Sequence, residues 1–304
     1  MTNASLETAY GGDLHEEIND YGELLVYSGK LIAEEQTEFQ KLTVFENHIL
    51  GRVLGSDGIS QTSEAEENIY HEMMAHTPMF AHGNVKSVLI IGGGDGGILR
   101  CVLDHKNVER AVLVEIDEAV PRMVQAHIPA ICGNAFKDAR SEIIITDGFK
   151  YMKEATEKFD LIIVDSTDAY GPGRVLFQDE FLAAAKAHLN DGGIFINQNA
   201  TDFVKYGDEM LVTTVTRSLR KHYKDVSFFR TAVPLYWGGD TFLGWATDET
   251  SYRQQAKSVI EERYRVSGIK TKYYNPDMHL ASFALPNSVL EMMQKRSEEH
   301  TSEL

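Results

Sequence analysis

The sequence predicts an α/β fold in which a doubly wound, largely parallel sheet follows a small antiparallel β domain. From Lys86 onward, short apolar runs rich in Val and Ile recur, with helical stretches between them. These runs are VLII (88–91), VLVEI (112–116), EIIIT (142–146), LIIVD (161–165) and IFINQ (194–198). Continuous β-branched runs that alternate with helices are typical of parallel strands buried on both faces. The later stretches FFRTAV and TFLGWAT predict antiparallel strands at one edge of that sheet.

A second pattern precedes this region. Between Gly22 and Ser63, short alternating runs such as LVYSG, KLTVFEN and GRVLGSDG are separated by Gly, Asp and Asn. Period-two alternation bounded by turn residues predicts a small antiparallel sheet. We therefore expect a small β domain with a linking helix in residues 1–80 and the larger α/β domain in residues 81–295.

The linking helix is predicted from residues 66–80, EENIYHEMMAHTPMF. We expect it to end near Pro78, because proline cannot donate the backbone hydrogen bond that continues a helix. Met73 and Met74 are expected to lie in the core. The acidic run of residues 64–67 predicts a solvated face or a favourable charge at the helix N-terminus.

The composition is that of an ordinary globular protein, with 304 residues of which 43% are hydrophobic and 25% charged. The net charge of −17 argues against a nucleic-acid partner, since phosphate binding needs basic patches, and it suits a cationic substrate. No stretch approaches 18 uncharged apolar residues, so no membrane span is predicted. Cys101 and Cys132 are too few for a disulfide framework or a metal quartet, and we expect ordinary semi-buried thiols.

The two ends of the chain carry signals of their own. The N-terminus, MTNASLETAYGGDLHEE, lacks the basic and then apolar order of a signal peptide, so a cytoplasmic location is expected. The last nine residues, RSEEHTSEL (296–304), resemble the translation of a common sequencing adapter. We expect them to be a non-native tail.

A glycine-rich loop, IIGGGDGGILR, follows the first strand of the larger domain. Gly92, Gly94 and Gly97 satisfy the pattern G-x-G-x-x-G, and Glu115 ends the next strand. Such a turn lets a ligand approach the backbone and meet helix N-terminal amides, while the acid is placed to accept from ribose hydroxyls. This order predicts a nucleoside ligand. The alternative is a tight structural turn followed by a surface acid.

Asp95 within this loop discriminates between nucleosides. A carboxylate there would repel a pyrophosphate by about 4 kcal/mol at 4 Å and an effective dielectric near 20, which disfavours NAD. It suits a sulfonium nucleoside whose tail carries an ammonium. Asp147-Gly148, which ends the third apolar run, adds a carboxylate that can accept from an adenine amino group. An Asp-Gly pair after a strand is also commonly just a turn.

The run LIIVDSTDAYGPGRVLF carries the chemistry. It places Asp165 at the carboxyl end of a strand, where open α/β sheets bind ligands, and Asp168 three residues later. A primary amine must lose its proton before it attacks carbon, which costs roughly 4–5 kcal/mol at pH 7. Asp165 can accept that proton as the bond forms, and a second acid can anchor the far amine. The alternative for Asp168 is a cap for the helix that begins near Gln178.

Together these residues resemble the spermidine synthase family of polyamine aminopropyltransferases. The resemblance covers roughly residues 24–286. Its motifs, in family order, are FENHILGRVLGSDGISQTSE, YHEMMAH, VLIIGGGDGG, VEID, DGF, DSTD with GP, and YYNPDMHLASFALP. The family implies a methyltransferase-like (Rossmann-like) sheet after a small β domain. It also implies transfer of an aminopropyl group from decarboxylated S-adenosylmethionine, as co-substrate, to putrescine. No metal or further cofactor is expected.

The resemblance also implies roles for matched positions. Asp165 is the expected proton acceptor, and Asp95 the group that holds the ammonium of the aminopropyl tail or of the product. The expected donor-binding residues are Gln40, Asp95, Glu115 (ribose), Asp147 (adenine), Gly148 and Pro172. The expected polyamine-binding residues are Tyr70, His71, Asp95, Asp165, Ser166, Thr167, Asp168 and Tyr236. Gln61 also matches a family position. For Tyr70 and His71 the alternative is core packing with a satisfied polar tip.

The chain departs from the family on the acceptor side. Ala169-Tyr170 stands where the family usually has proline, and VPLYWGGD replaces a P-T-Y run, so that Leu235 and Trp237 flank Tyr236. The helix entry SEAEEN lacks the usual Arg and aromatic residue. Cadaverine, agmatine or a longer polyamine therefore remain alternative acceptors. A homodimer or homotetramer is expected by analogy with the family.

Three other functions fit parts of the sequence. A methyltransferase would bind intact S-adenosylmethionine, whose carboxylate Asp95 and Asp165 would repel. A dehydrogenase is suggested by the glycine pattern, but no matching catalytic His–Asp arrangement is evident. A polyamine-binding module without catalysis is suggested by the acidic loop alone.

Overall fold

The computed structural model of this 304-residue chain describes residues 13–18, 23–166, 175–199, 205–206, 209–236 and 239–295. The N-terminal region contains an antiparallel hairpin and a four-stranded antiparallel sheet in the order β3-β4-β5-β6. Its strands are β1 (Asp13–Ile18), β2 (Glu23–Ser28), β3 (Lys30–Gln36), β4 (Lys41–Asn47), β5 (Gly51–Ser56) and β6 (Ile59–Ser63). This confirms the predicted small antiparallel sheet. The predicted tail, residues 296–304, lies outside the described residues.

The larger sheet has seven strands in the order β14-β15-β11-β10-β7-β8-β9. Strands β7 to β11 pair in parallel, whereas β15 and β14 are antiparallel at one edge, as predicted. The strands from β7 onward are β7 (Ser87–Gly92), β8 (Arg110–Glu115), β9 (Ser141–Ile145), β10 (Phe159–Asp165), β11 (Leu189–Asn199), the short pair β12 (Lys205–Tyr206) and β13 (Glu209–Met210), β14 (Asp225–Ala232) and β15 (Asp240–Thr247). All five apolar runs form strands of this sheet.

The helices within the described residues cover both faces of the large sheet. They are α1 (Glu67–His82), α2 (Gly97–Leu103), α3 (Ala119–His127), α4 (Pro129–Cys132), α5 (Gly148–Glu154), α6 (Asp179–Ala187), α7 (Leu211–Leu219), α8 (Lys257–Ser267), α9 (Pro276–Ser282) and α10 (Asn287–Gln294). Alternate side chains of β7 belong to different cores: Val88 and Ile90 pack with α1 and α2, whereas Leu89 and Ile91 pack with α5, α6 and α7. This two-sided burial confirms the doubly wound architecture.

The small sheet is joined to the large domain by its own apolar face. Leu42, Val44 and Leu54 pack against Met123 and Val124 of α3, in a third cluster of buried side chains. The two sheets are therefore held together by a shared core as well as by the chain. No helix in the described ranges combines the length and apolar character needed to cross a bilayer.

The prediction that the linking helix ends near Pro78 is wrong, because α1 continues to His82. It ends at Gly83, a left-handed residue (φ 83°) whose N–H donates to the carbonyl of Met79. Fourteen of the 16 residues of α1 are buried, Met73 and Met74 completely, as expected. A proline within a helix costs about 3 kcal/mol. Burial of several large side chains, at roughly 1.5–3 kcal/mol each, outweighs that cost.

The two cysteines are free and buried, as expected of ordinary thiols. Burial raises the pKa of Cys101, and it also raises the pKa of Cys132. Both thiols therefore stay protonated, which makes them poor nucleophiles.

Candidate active site

Three adjacent parallel strands end at the same edge of the large sheet. Strand β7 lies between β10 and β8, and Asp165 at the end of β10 is in register with Gly92 at the end of β7. Glu115 ends β8 on the other side of β7. The glycine loop, Asp165 and Glu115 therefore surround one crevice, as expected for ligand sites in open α/β sheets.

The glycine loop is attached to the end of β10. The N–H of Gly93 donates to the carbonyl of Asp165 over 2.9 Å. Gly92 has a φ of 79°, and a Cβ atom there would lie 2.0 Å from the same carbonyl oxygen. Only glycine fits at position 92. Gly92, which the sequence pattern assigned to ligand approach, is therefore required by the packing of β7 against β10.

The carboxylate of Asp165 accepts a hydrogen bond from the hydroxyl of Tyr70 over 2.6 Å. Burial, together with the negative charge of Asp95, raises the pKa of Asp165 to about 6, although the bond from Tyr70 opposes this shift. Within the described residues, no ion pair involves Asp165. A carboxylate of this kind is ionised at neutral pH and is a better proton acceptor than an ordinary aspartate.

Asp95 is held by two groups at the start of α2. Its Oδ1 accepts from the N–H of Gly97 over 2.6 Å, and its Oδ2 lies 3.4 Å from His71 Nε2. Burial alone would raise the pKa of Asp95, but the charge and hydrogen bond of His71 hold it below its usual range. Asp95 is therefore a fixed negative charge next to Asp165.

His71 carries the positive charge of this group. Burial by itself lowers the pKa of His71, but the carboxylates of Asp95 and Glu67 outweigh burial and raise it to about 10. The ring is almost fully buried, with 2% of the side chain exposed. A Cβ atom on Gly97 would lie 2.1 Å from His71 Nδ1, so glycine at that position lets α2 approach the imidazole.

Of the two interpretations of residues 64–67, the solvated face is wrong for Glu66 and Glu67, which are 6% and 4% exposed. The other, an acidic charge at the helix N-terminus, is confirmed for Glu67, which lies in the first turn of α1. Glu67 Oε2 lies 2.8 Å from His71 Nδ1 and accepts from Arg100 over 2.6 Å. Sequence reasoning missed both Glu67 and Arg100 as neighbours of the site. The four-residue spacing of Glu67 and His71 on a helix is a signal for the first pair. No signal connects Arg100 to Glu67, since they are 33 residues apart.

Tyr70 also contacts the predicted acceptor side. Its ring packs edge-on against Tyr236, with centroids 5.8 Å apart, and the hydroxyl of Tyr236 donates to the carbonyl of Gln61 over 2.9 Å. Burial and the nearby Asp165 raise the pKa of Tyr70 well above its usual value, so its hydroxyl remains a donor. Gln61, Tyr70 and Tyr236 therefore form a wall between the small sheet and the loop after β14.

Glu115 lies on the opposite side of the glycine loop. Its Oε1 accepts from the N–H of Asp117 over 2.9 Å, and a Cβ atom on Gly94 would lie 2.6 Å from its Oε2. Burial raises the pKa of Glu115 to about 7, although backbone N–H groups of Asp117, Ile116 and Gly94 favour the ionised form. Glu115 is therefore a buried acceptor stabilised by neutral donors.

Gln40 reaches this side from the small sheet, but its bonds are to protein groups. Its amide donates to Asp117 Oδ2 over 3.0 Å, and its carbonyl oxygen accepts from Ser56 over 2.5 Å. Thr37 donates to the same oxygen of Asp117 over 2.8 Å. Asp117, which sequence reasoning did not single out, thus connects β8 to the small sheet.

Asp147 and Gly148 follow β9 at the same edge. Asp147 caps α5, because its Oδ1 accepts from the N–H of Lys150 over 2.7 Å. A Cβ atom on Gly148 would lie 2.4 Å from the side chain of Ile91, so the helix start packs closely on the end of β7. The pair is both a helix cap and a neighbour of the crevice.

The rest of the predicted set is only partly described. Ser166 follows Asp165 and is partly buried, whereas Thr167, Asp168 and Pro172 lie outside the described residues. Ala169, Tyr170 and Trp237, which distinguish this chain from the family pattern, also lie outside them.

Comparison with known proteins tests the resemblance. Residues 67–257 match the model of the spermine/spermidine synthase domain. A polyamine aminopropyltransferase of Pseudomonas syringae is 43% identical over 288 residues, covering 92% of this chain and 99% of that protein. The polyamine aminopropyltransferase 1 of Pseudomonas aeruginosa is 43% identical over 287 residues, with the same coverage of both chains.

Solved structures agree with the sequence comparison. A spermidine synthase in complex with the transition state analogue AdoDATO superposes with a TM-score of 0.86 at 35% identity, covering 93% of this chain and 94% of that one. The spermidine synthase of Thermotoga maritima superposes with a TM-score of 0.84 at 33% identity, covering 96% and 99%. The chain therefore belongs to the spermine/spermidine synthase family and is an enzyme of the polyamine aminopropyltransferase class.

Proposed function

We propose that this enzyme transfers the aminopropyl group of decarboxylated S-adenosylmethionine to putrescine, giving spermidine and methylthioadenosine. The observation that carries the proposal is the position of Asp165. Its carboxylate lies at the carboxyl end of β10, beside the glycine loop, and accepts from the Tyr70 hydroxyl. Burial and the charge of Asp95 raise its pKa to about 6.

In this proposal Asp165 is the proton acceptor. The amine nitrogen forms a bond to the aminopropyl carbon while the bond from that carbon to sulfur breaks. The sulfur leaves as a neutral thioether, and the proton of the attacking amine passes to Asp165. The sulfonium is already an excellent leaving group, so the protein contributes mainly alignment and a base. The Tyr70 hydroxyl orients the carboxylate through its bond to Oδ1.

The donor is proposed to lie over the glycine loop. Glu115 accepts from the ribose hydroxyls, and the Asp147-Gly148 pair faces the adenine, with Gln40 and Pro172 as further donor contacts. Asp95 holds the ammonium of the aminopropyl tail. The AdoDATO complex of a related spermidine synthase supports a donor site of this type in this fold.

The acceptor is proposed to lie along Tyr70, His71 and Tyr236, with Ser166, Thr167 and Asp168 next to Asp165. Both ring nitrogens of His71 already face carboxylates, so His71 acts as a wall and as a counter-charge to Asp95. Two aromatic rings and an acid suit a diamine with an apolar centre and charged ends.

A product survey tests the donor and the acceptor together. Purified enzyme is incubated with decarboxylated S-adenosylmethionine and, separately, putrescine, cadaverine, agmatine or spermidine, and products are measured by mass spectrometry. We expect methylthioadenosine in every productive reaction and the highest rate with putrescine. A higher rate with another amine would replace putrescine as the acceptor.

A second arm addresses the methyltransferase alternative. Intact S-adenosylmethionine replaces the decarboxylated donor, and little turnover is expected because its carboxylate meets Asp95 and Asp165. Methyl transfer at a comparable rate would contradict the proposal. A homodimer or homotetramer and a cytoplasmic location remain predictions, which gel filtration with light scattering and cell fractionation would test.

A further inference from the structure

We propose that Glu67 and Arg100 are positioning residues for aminopropyl transfer, because through His71 they fix the orientation and the charge of Asp95 beside the proton acceptor. This inference rests on the proposed roles of Asp95 and Asp165. Neither Glu67 nor Arg100 belongs to the predicted site, and both act through His71.

A continuous chain of contacts supports the inference. Arg100 donates to Glu67 Oε2 over 2.6 Å, and the same oxygen lies 2.8 Å from His71 Nδ1. On the other side of the ring, His71 Nε2 lies 3.4 Å from Asp95 Oδ2. The chain therefore runs from the partly exposed guanidinium on α2, through α1, to the glycine loop.

The two contacts of His71 determine its protonation. A neutral imidazole has one N–H, so one of its nitrogens would present a lone pair to a carboxylate oxygen. When both nitrogens carry hydrogen, each faces an acceptor. The geometry therefore favours an imidazolium, and the raised pKa of His71, about 10, agrees with it.

Charges alternate along this chain. Arg100 is positive, Glu67 negative, His71 positive and Asp95 negative, so the four groups cancel. Asp165 then adds a net negative charge beside Asp95, and this charge attracts a cationic ligand. The charged or titratable groups around His71 are Glu66 at the N-cap of α1, Glu67 and Tyr70 on α1, Asp95 in the loop, Arg100 on α2 and Asp165 on β10.

A purely structural role is the alternative. In that case Glu67 and Arg100 merely connect α1 to α2, where Gly97 already allows close packing against His71. Their loss would then lower stability, while the protonation of His71 and the pH dependence of catalysis would stay the same. A titration of His71 therefore distinguishes the two roles.

The test uses Glu67→Gln, which keeps the size and an acceptor oxygen but removes the charge. With one anion removed, the pKa of His71 should fall by about two to three, from about 10 to between roughly 7 and 8. Nitrogen-15 NMR of histidine-labelled enzyme without substrate measures this directly, with the His71 signal assigned from its loss in His71→Gln. Wild-type His71 should stay doubly protonated to at least pH 8.5, whereas in Glu67→Gln it should titrate below that pH.

Catalysis provides the second readout. In Glu67→Gln, kcat/KM should fall as pH rises through the new pKa of His71, an alkaline decline absent from the wild type over the same range. Arg100→Met should lower kcat/KM by roughly 10–100-fold through misplacement of Asp95. Arg100→Lys should recover part of that loss because it restores the cation.

The matched control is Arg253→Met. It breaks the ion pair of Arg253 with Asp225. The side chains of this pair are 29% and 10% exposed, which resembles the 29% and 5% of Arg100 and Glu67. Asp225 pairs with Thr247 at the opposite edge of the large sheet, and this variant should keep both the His71 titration and the pH profile.

Two results would overturn the inference: a neutral wild-type His71 at pH 7, or Glu67→Gln with an unchanged His71 titration. Asp165→Asn, assayed in parallel, separates this failure from a failure of the proposed function. If Asp165→Asn is inactive while His71 titrates alike in the wild type and in Glu67→Gln, only the positioning role is wrong. If Asp165→Asn retains full turnover, the proposed base is wrong whatever His71 does.

Discussion

Asp95 lies within the glycine loop and Glu115 lies beside it, and the two carboxylates are held in different ways. Glu115 accepts from backbone N–H groups, and burial raises its pKa to about 7. Asp95 faces the imidazolium of His71, which holds its pKa below the usual range despite burial. Two buried carboxylates in one crevice thus acquire opposite pKa shifts. Burial acts to raise the pKa of both carboxylates, and the cation beside Asp95 reverses the direction there.

The comparison also extends to how each side is connected to the rest of the molecule. On the Glu115 side, Asp117 is bound by the neutral side chains of Thr37 and Gln40 from the small sheet. On the Asp95 side, ionised groups of α1 and α2 form the connection. We infer that the side nearest the proton transfer uses charge, whereas the side proposed for the ribose uses neutral hydrogen bonds.

The largest effect is expected for Asp165→Asn. Removal of the proton acceptor should lower kcat by about 10²–10⁴-fold while calorimetric binding of methylthioadenosine stays intact. Asp160→Asn is the matched control, since Asp160 is the second residue of the same strand and accepts from the N–H groups of Lys86 and Ser87, away from the crevice. Normal turnover in Asp165→Asn would show that Asp165 is not the proton acceptor.

The charged side is tested by Asp95→Asn. This change leaves the His71 imidazolium without one of its two anions, and breaking a buried ion pair costs about 3–5 kcal/mol. We expect that loss in the free energy of unfolding at pH 7, measured by urea denaturation. A stability equal to the wild type would show that His71 does not depend on Asp95.

The neutral side is tested by Glu115→Gln. This change should raise the free energy of unfolding, whereas Asp95→Asn should lower it. The folded-state pKa of Glu115 is raised to about 7, so its ionisation destabilises the folded protein. This destabilisation is absent below about pH 4.5, grows as pH rises and is complete above pH 7. Relative to the wild type, the variant should gain up to about 3 kcal/mol between pH 4.5 and pH 8. A difference that does not change with pH would contradict a buried, destabilised carboxylate.

The smallest effect is expected for Gln40→Ala, which removes the bonds to Asp117 and Ser56. The free energy of unfolding should fall by about 1 kcal/mol, and the affinity for methylthioadenosine should fall if Gln40 also contacts the donor. Gln36→Ala is the control, because the Gln36 side chain donates an exposed hydrogen bond to the carbonyl of the neighbouring Thr37. Equal free energies of unfolding for the two variants would show that the bonds of Gln40 to Asp117 and Ser56 contribute nothing to stability.

Much of the fold was predictable from local patterns. Each of the five apolar runs forms a strand of the large sheet. Continuous runs of Val and Ile are typical of parallel strands that are buried on both faces. The end of α1 was not predictable, since the cost of Pro78 is outweighed by packing against elements far away in the sequence. The burial of Glu67 was also missed, because its partner Arg100 is 33 residues away in the sequence.

The sequence by itself determined the order of strands and helices, the glycine loop and the acids that end β8 and β10, because these depend on neighbours within a few residues. It also determined the family, through motifs in a specific order. Only the tertiary structure decided that Glu67, His71, Asp95 and Arg100 share their charges. Ion pairs between α1, the loop and α2 depend on distances of a few ångströms, and a pKa depends on every charge within that range.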